Sequence, residues 1–358
     1  YDENAKTWTV DKGLFAGAYT KNKYAEHDMA LVVVKHTHGF AAGSSTCACG
    51  YVCEHPGMNS ETGECTACGM PMAVASVTAA GETPTVSYYR EIGAAFNAAK
   101  TSGGGTLTLL QDVALTDETN INIAASVGVE EYNFTVDWNG KTLSGNYSGN
   151  LLILSDRVNV TLKDSSGNNA GGVRNKYTMS SYFGEHIGGT AVCVSPLSGY
   201  SVTIEGGTYS ARVLKREDVG DLQISGGVFE NPAKSNASPA IAAYDRNDKD
   251  VGALADLLVD GYTFAYDKDG TNLLDVYSTA HTDEGRTVYV VPHTHSNFNS
   301  DNKCACGYTC PHAEINDDGT CKLCGKEMVA SVTVGANVTY YDTLGNALNY
   351  AKQNNGYM

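Results

Sequence analysis

Ile204-Glu205-Gly206-Gly207-Thr208-Tyr209 returns twenty residues later as Ile224-Ser225-Gly226-Gly227-Val228-Phe229. Each copy is the end of a β-prone run, a glycine pair that lets the backbone bend, and an aromatic beyond the bend. A looser copy follows as Val259-Asp260-Gly261-Tyr262-Thr263-Phe264. One strand, one glycine bend and one inward aromatic per twenty-odd residues is the signature of stacked solenoid coils.

The surrounding sequence extends the pattern. Between Gly103 and Val291 short β-rich runs succeed one another, including 106–110 (TLTLL), 134–138 (FTVDW), 151–154 (LLIL), 158–162 (VNVTL) and 201–204 (SVTI). Turns rich in glycine, asparagine, aspartate and serine separate them, with no long helical pattern between. A β-sandwich is the competing architecture, and it would need many two-residue hairpins. Asn139-Gly140 and Asp260-Gly261 are the main pairs of that kind, and both suit solenoid corners equally well. The expected fold class is therefore all-β, with a right-handed parallel β-helix over residues 103–292. Ahead of it, Ile92, Ala95, Phe96 and Ala99 recur at helical spacing, which predicts an amphipathic helix capping the open end of the first coil.

Cysteines mark a longer repeat. Ten of the eleven fall in two windows, each accompanied by three histidines. The first window holds His36, His38, Cys47, Cys49, Cys53, His55, Cys65 and Cys68. The second holds His293, His295, Cys304, Cys306, Cys310, His312, Cys321 and Cys324. Corresponding residues lie 257 positions apart from His36 through His55, and 256 apart for the final pair, so one residue is lost in the intervening loop. The register continues beyond the windows. Val74-Ala75-Ser76-Val77 recurs as Val329-Ala330-Ser331-Val332, and Tyr88-Tyr89 with the helical stretch to Lys100 recurs as Tyr340-Tyr341 running to Lys352. The expected layout is the end of a preceding repeat (1–35), a Cys/His module (36–72), a linker strand and capping helix (73–102), the β-helix (103–292), a second module (293–328) and the start of another repeat (329–358). That layout reads as part of a longer tandem array.

Five thiols and three imidazoles per window make eight ligands, the number needed by two tetrahedral zinc ions. A disulfide framework would strand one thiol per window and leave the histidines without a purpose. Both knuckles, Cys-x-Cys-Gly and Cys-x-x-Cys-Gly, end in a glycine that permits a tight turn with amides facing sulfur. The preferred partition puts Cys47, Cys49, Cys65 and Cys68 on one ion and His36, His38, Cys53 and His55 on the other. Other pairings fit the spacing as well. No ligand is left over for an open position, so the zinc is expected to be structural. A module of some 35 residues with few large apolar groups needs such a staple, and zinc sensing or storage is the less economical alternative.

Twenty-four basic residues against 40 acidic ones give a net charge of −16, which argues against nucleic acid or an anionic membrane as partner. No apolar run approaches a membrane span. The possible catalytic carboxylates and cations are Asp137, Asp156, Arg157, Asp164, Lys215, Arg216, Asp245, Arg246, Asp248 and Asp250. Most sit beside turn formers, where carboxylates cap loops, and no catalytic motif unites them. His27, His186 and His281 lack a nucleophile motif. Cys193, set in Ala191-Val192-Cys193-Val194, reads as a small core residue.

Residues 89–113 resemble the entry to pectate-lyase-like β-helix regions in large surface proteins of Gram-positive Firmicutes. Val136-Asp137-Trp138-Asn139-Gly140-Lys141-Thr142-Leu143 resembles the first coil of such regions, and the cysteine windows are similar to short Cys-Gly/His modules beside them. The resemblance implies an exported, extracellular, cell-wall-displayed multi-repeat protein. The residues themselves lead to the expectation of a non-catalytic segment, a stalk or an adhesin, with neighbouring repeats or further copies of itself as partners. The 22 tyrosines also suit a host glycan or host protein such as an immunoglobulin. A polysaccharide lyase or hydrolase is the alternative.

Overall fold

The computed structural model describes residues 37–48, 50–116, 119–125, 131–181, 184–187, 189–216, 220–232, 239–244, 254–278 and 286–356. His27, His36, Cys49, Asp245, Arg246, Asp248, Asp250 and His281 lie outside these, as does the expected end of a preceding repeat at 1–35. The chain forms two compact units, divided between Asp112 and Val113.

In the first unit, β1 (Ala75–Thr78) is flanked on both sides by antiparallel partners, β2 (Val86–Tyr89) and β3 (Thr106–Leu109). Between them runs α1 (Ile92–Lys100), which packs on all three strands. The expected face is the buried one: Ile92, Ala95, Phe96 and Ala99 are all inside. Ser102 stops the helix by donating its hydroxyl to the Ala99 carbonyl at 2.7 Å. Gly103 and Gly104 then adopt positive φ values of 66° and 102°, turning the chain into β3.

The second unit is mostly β. Its strands in order are β4 (Val113–Ala114), β5 (Ile121–Ala124), β6 (Tyr132–Asp137), β7 (Thr142–Gly145), β8 (Asn150–Asp156), β9 (Val158–Lys163), β10 (Gly172–Asn175), β11 (Thr178–Ser181), β12 (Gly184–Ile187), β13 (Thr190–Pro196), β14 (Ser201–Ile204), β15 (Thr208–Ser210), β16 (Arg212–Arg216), β17 (Asp221–Ile224), β18 (Val228–Glu230) and β19 (Ile241–Tyr244). Apart from the β11–β12 antiparallel hairpin, they fall in rotation into three parallel groups. One group contains β4, β7, β10, β15 and β18, and another β5, β8, β13, β16 and β19. The third contains β6, β9, β14 and β17. Among the described residues none of the sheets closes on itself.

Parallel pairing stacks like on like. Ile121, Leu152, Val192, Val213 and Ile241 are successive register partners, and every one is buried. Phe134, Val160, Val202 and Leu222 form a second buried ladder. The twenty-residue echo is this register made visible: Ile204 pairs with Ile224, and Tyr209 with Phe229. The Tyr209 and Phe229 rings stack at 5.6 Å, and Phe229 meets Phe264 edge-on at 5.9 Å. Gly207 and Gly227 hold φ of 102° and 114° at equivalent bends, conformations that side chains rarely adopt.

The third, looser copy departs from the pattern. Leu258 begins it with a parallel bridge to Ile224, after a short 3-10 helix at Leu254–Leu257. Next, β20 (Tyr262–Ala265) pairs antiparallel with β21 (Val288–Pro292), which lies between β20 and β18 and is antiparallel to both. The expectation of parallel strands through residue 292 therefore fails at β20 and β21. A returning strand occupies the position on β18 that a further parallel strand would take. Beyond it, β22 (Ala330–Val334) and β23 (Asn337–Tyr341) form a hairpin followed by α2 (Leu344–Asn354), capped by the Thr343 hydroxyl accepting from the Asn346 amide at 3.3 Å. Among the described residues no helix is long and apolar enough to cross a membrane.

Candidate metal centres

The cysteine windows fold as chains of tight turns linked by single β-bridges. After the Cys-x-Cys pair, Gly307 takes φ of 90° and donates its amide to the Cys304 carbonyl at 2.9 Å, while Cys304 N bonds Tyr308 O at 2.8 Å. The first window repeats this, with Gly50 at φ of 88°, Gly50 N to Cys47 O at 2.9 Å and Cys47 N to Tyr51 O at 2.8 Å. The Cys-x-x-Cys knuckles match as well. Gly69 and Gly325 share φ of 72°, and their amides bond the Cys65 and Cys321 carbonyls at 2.9 and 2.8 Å. His55 and His312 both sit in left-handed backbone, at φ of 53° and 50°.

Among the described residues three clusters result, each with its candidate ligand atoms within 4.8 Å of one another: Cys53, His55, Cys65 and Cys68; His293, His295, Cys304 and Cys306; Cys310, His312, Cys321 and Cys324. The knuckle-to-knuckle partition expected from sequence is therefore wrong. Cys65 and Cys68 join Cys53 and His55, and Cys321 and Cys324 join Cys310 and His312. The backbone explains the outcome. Met58 bridges Cys65 and Thr66 N bonds Gly57 O at 3.0 Å, so the loop after His55 doubles straight back and lays Cys65-x-x-Cys68 beside Cys53-x-His55. His293 and His295 meet the other knuckle, Cys304-x-Cys306. Of the matching upstream set in the first window, His38 and Cys47 are described, and His36 and Cys49 are not.

The spacings suit a tetrahedral ion. With metal–sulfur near 2.3 Å and metal–nitrogen near 2.05 Å, tetrahedral angles put two sulfurs about 3.8 Å apart and sulfur about 3.6 Å from nitrogen. The Cys53–Cys65 and Cys310–Cys321 sulfurs are separated by 3.7 and 3.5 Å. Sulfur to imidazole distances are 3.4 Å for Cys68–His55, 3.4 Å for Cys324–His312, 3.6 Å for Cys310–His312, 3.4 Å for Cys306–His295 and 3.2 Å for Cys304–His293. These separations are far beyond the ~2.05 Å of a disulfide, and none of the described cysteines forms one.

The protonation balance favours a cation. Burial, aided by neighbouring thiols, pushes Cys53 up to about 11, Cys306 to about 11 and Cys310 to about 12. Burial also opposes ionisation of Cys65 and Cys321, yet amides of their own knuckles and the adjacent histidine bring both down to about 6. Within each Cys3His set one thiol is thus held protonated while another ionises readily. A dication at the centre favours thiolate at the sulfurs it binds and removes that conflict. Burial lowers His293 and His295, keeping them neutral as ligands must be.

Two aromatic residues beside the sites escaped the sequence reading. Tyr308 stacks on His295 at 3.8 Å and 11°, and Tyr51 stacks on His38 at 3.9 Å and 18°. Their signal was present, since each directly follows a Cys-x-Cys-Gly. The stacks fix ring orientation, the role that outer contacts play around metal ligands.

Two of the carboxylates considered for catalysis, Asp137 and Asp164, serve turns. Asp137 accepts from the amides of Asn139 and Ser165, both at 3.0 Å. Asp164 accepts from the amides of Gly140 at 2.7 Å, Gly171 at 2.9 Å and Ser166 at 3.2 Å. Burial works against its ionisation, but these donors prevail and hold it below the ordinary carboxylate range. Glu185 and His186 lie on β12. Cys193 is buried in β13, as expected, and burial raises its thiol. Comparison with protein-family models, curated proteins and solved structures finds no match to this chain.

Proposed function

We propose that the chain is a non-catalytic structural segment of an extracellular bacterial surface array. In it, a parallel β-helix is joined to its neighbours through zinc-stapled Cys/His modules. The three parallel groups of strands, entered in rotation with buried ladders, support a β-helix. Chelated zinc takes the place of the core that a module this small cannot build. The resemblance to β-helix regions of Firmicutes surface proteins supports the location, with neighbouring repeats and a host glycan or protein as partners.

The observation that carries this reading is the placement of the cluster at His293, His295, Cys304 and Cys306. Both histidines directly follow β21, the antiparallel strand against β18, and His293 N bonds Gly261 O at 2.8 Å. The knuckle is tied to the same region, with Val276 N bonded to Cys306 O at 3.0 Å. An ion there clamps the module to the end of the strand stack, so zinc acts on the stiffness of the junction. Chelation should expose trypsin sites at 293–328 while the far-ultraviolet β signal persists. Collapse of the whole β signal on chelation would contradict a modular staple.

A further inference from the structure

The two β-hairpin–helix segments, 75–100 and 330–352, share a sequence pattern but differ in what covers them. In the first, β3 lies on the edge of β1 away from β2 and packs against α1. Leu107 and Leu109 of β3 are buried, and so are Ile92 at 7% exposed and Phe96 at 1%. In the second, β22 pairs only with β23 among the described residues. The helix register places Leu344 where Ile92 stands and Leu348 where Phe96 stands, with Ala347 buried at the place of Ala95. Leu344 is 56% exposed and Leu348 54%. Two leucines one helical turn apart, in the open and beside an unpaired strand edge, form an incomplete core.

We infer that β22 and α2 form an acceptor for one further β-strand with the pattern of β3, alternating threonine and leucine with both leucines turned onto the helix. The inference rests on the array reading above. The first segment shows the geometry of the completed state: Val77 opposite Leu107 and Ala75 opposite Leu109, antiparallel. Val332 and Ala330 hold the matching places on β22. Gly356 already runs beside that edge, close to the side chains of Val332 and Val334 and the Thr333 carbonyl. Gly104 and Gly105 hold the same position before β3, where Gly105 abuts the Thr78 carbonyl. Backbone pairing supplies the docking and the two leucines the selectivity, the strand-addition mode of recognition.

The test appends the six residues of 107–112, Leu-Thr-Leu-Leu-Gln-Asp, to Met358 of the full chain, which keeps the register of the first segment. A control appends Asp-Thr-Asp-Leu-Gln-Asp. Amide exchange in β22 should slow at least tenfold with the leucine extension and remain at the parent rate with the control. Leu348→Asp should abolish the slowing while leaving its own chain folded, as the residue is exposed. Equal exchange in the two extended chains would overturn the proposal, with the zinc count and chelation response still judging the array reading independently. Concentration-dependent protection of β22 in the parent chain would also overturn it, by showing that a second copy covers the face instead.

Discussion

Tyr209 is where the glycine-bend echo and the buried core meet, and removing its hydroxyl tests whether the stacked strands are held as described. The Trp138 indole N–H donates to Tyr209 Oη at 3.2 Å, and the Tyr209 hydroxyl donates to the Gly206 carbonyl at 2.9 Å. Both rings are fully buried, so Tyr209→Phe leaves one donor and one acceptor without partners and without access to water. Each orphaned group costs about 1–3 kcal/mol, and losing the hydroxyl's own desolvation penalty returns part of that. The net destabilisation should be about 2–3 kcal/mol. With a urea slope near 3 kcal/mol per molar, the midpoint should fall by about 0.7–1 M. Equilibrium unfolding monitored by circular dichroism and by Trp138 emission would measure it, the latter shifting because its hydrogen bond is lost. A midpoint within about 0.2 M of the parent would refute the reasoning, since two buried unpaired groups cannot be neutral.

Asn175 is fully buried, and its amide donates to the carbonyls of Tyr147 at 2.8 Å, Thr190 at 3.1 Å and Gly149 at 3.3 Å while accepting from Tyr147 N at 3.1 Å. Asn175→Ala should cost about 2–4 kcal/mol in the same urea assay, more than any exposed asparagine. Asp164 has a folded-state pKa below its unfolded value, so its contribution is present above the unfolded pKa and disappears as pH falls through the folded one. Measured on chelated protein to remove metal effects, the parent should lose stability on acidification, and Asp164→Asn should flatten that limb while lowering stability at neutral pH.

The parallel stack was legible in sequence because parallel pairing sets like residues side by side. Ile204 over Ile224 and Tyr209 over Phe229 are neighbours in space at the same interval as in sequence. The interruption by β21 was not legible. Residues 288–291 read as an ordinary buried strand, and direction is decided by where the connection returns, which the side-chain pattern does not encode. The same holds for the candidate metal centres. Candidate ligands follow from residue type, and sets of four follow from coordination chemistry. Their partition depends on the loop between His55 and Cys65 doubling back through the Met58–Cys65 bridge, a backbone event without a distinctive residue. Asn175 was not legible for a related reason: an asparagine beside polar residues looks solvated until the neighbouring strands and turns enclose it.

The central claim is that the cysteines serve as metal ligands in closed four-residue sets. Native mass spectrometry of the chain purified without chelator, followed by denaturing mass measurement of the released polypeptide, addresses it directly. The account predicts four zinc ions per chain, counting the first-window set completed by His36 and Cys49, together with a polypeptide mass corresponding to fully reduced thiols. It further predicts that Cys310→Ser lowers occupancy at its own Cys3His set and spares the His293–Cys306 set. Two or fewer zinc ions, or a polypeptide mass short of the hydrogens lost to disulfide bridges, would contradict it.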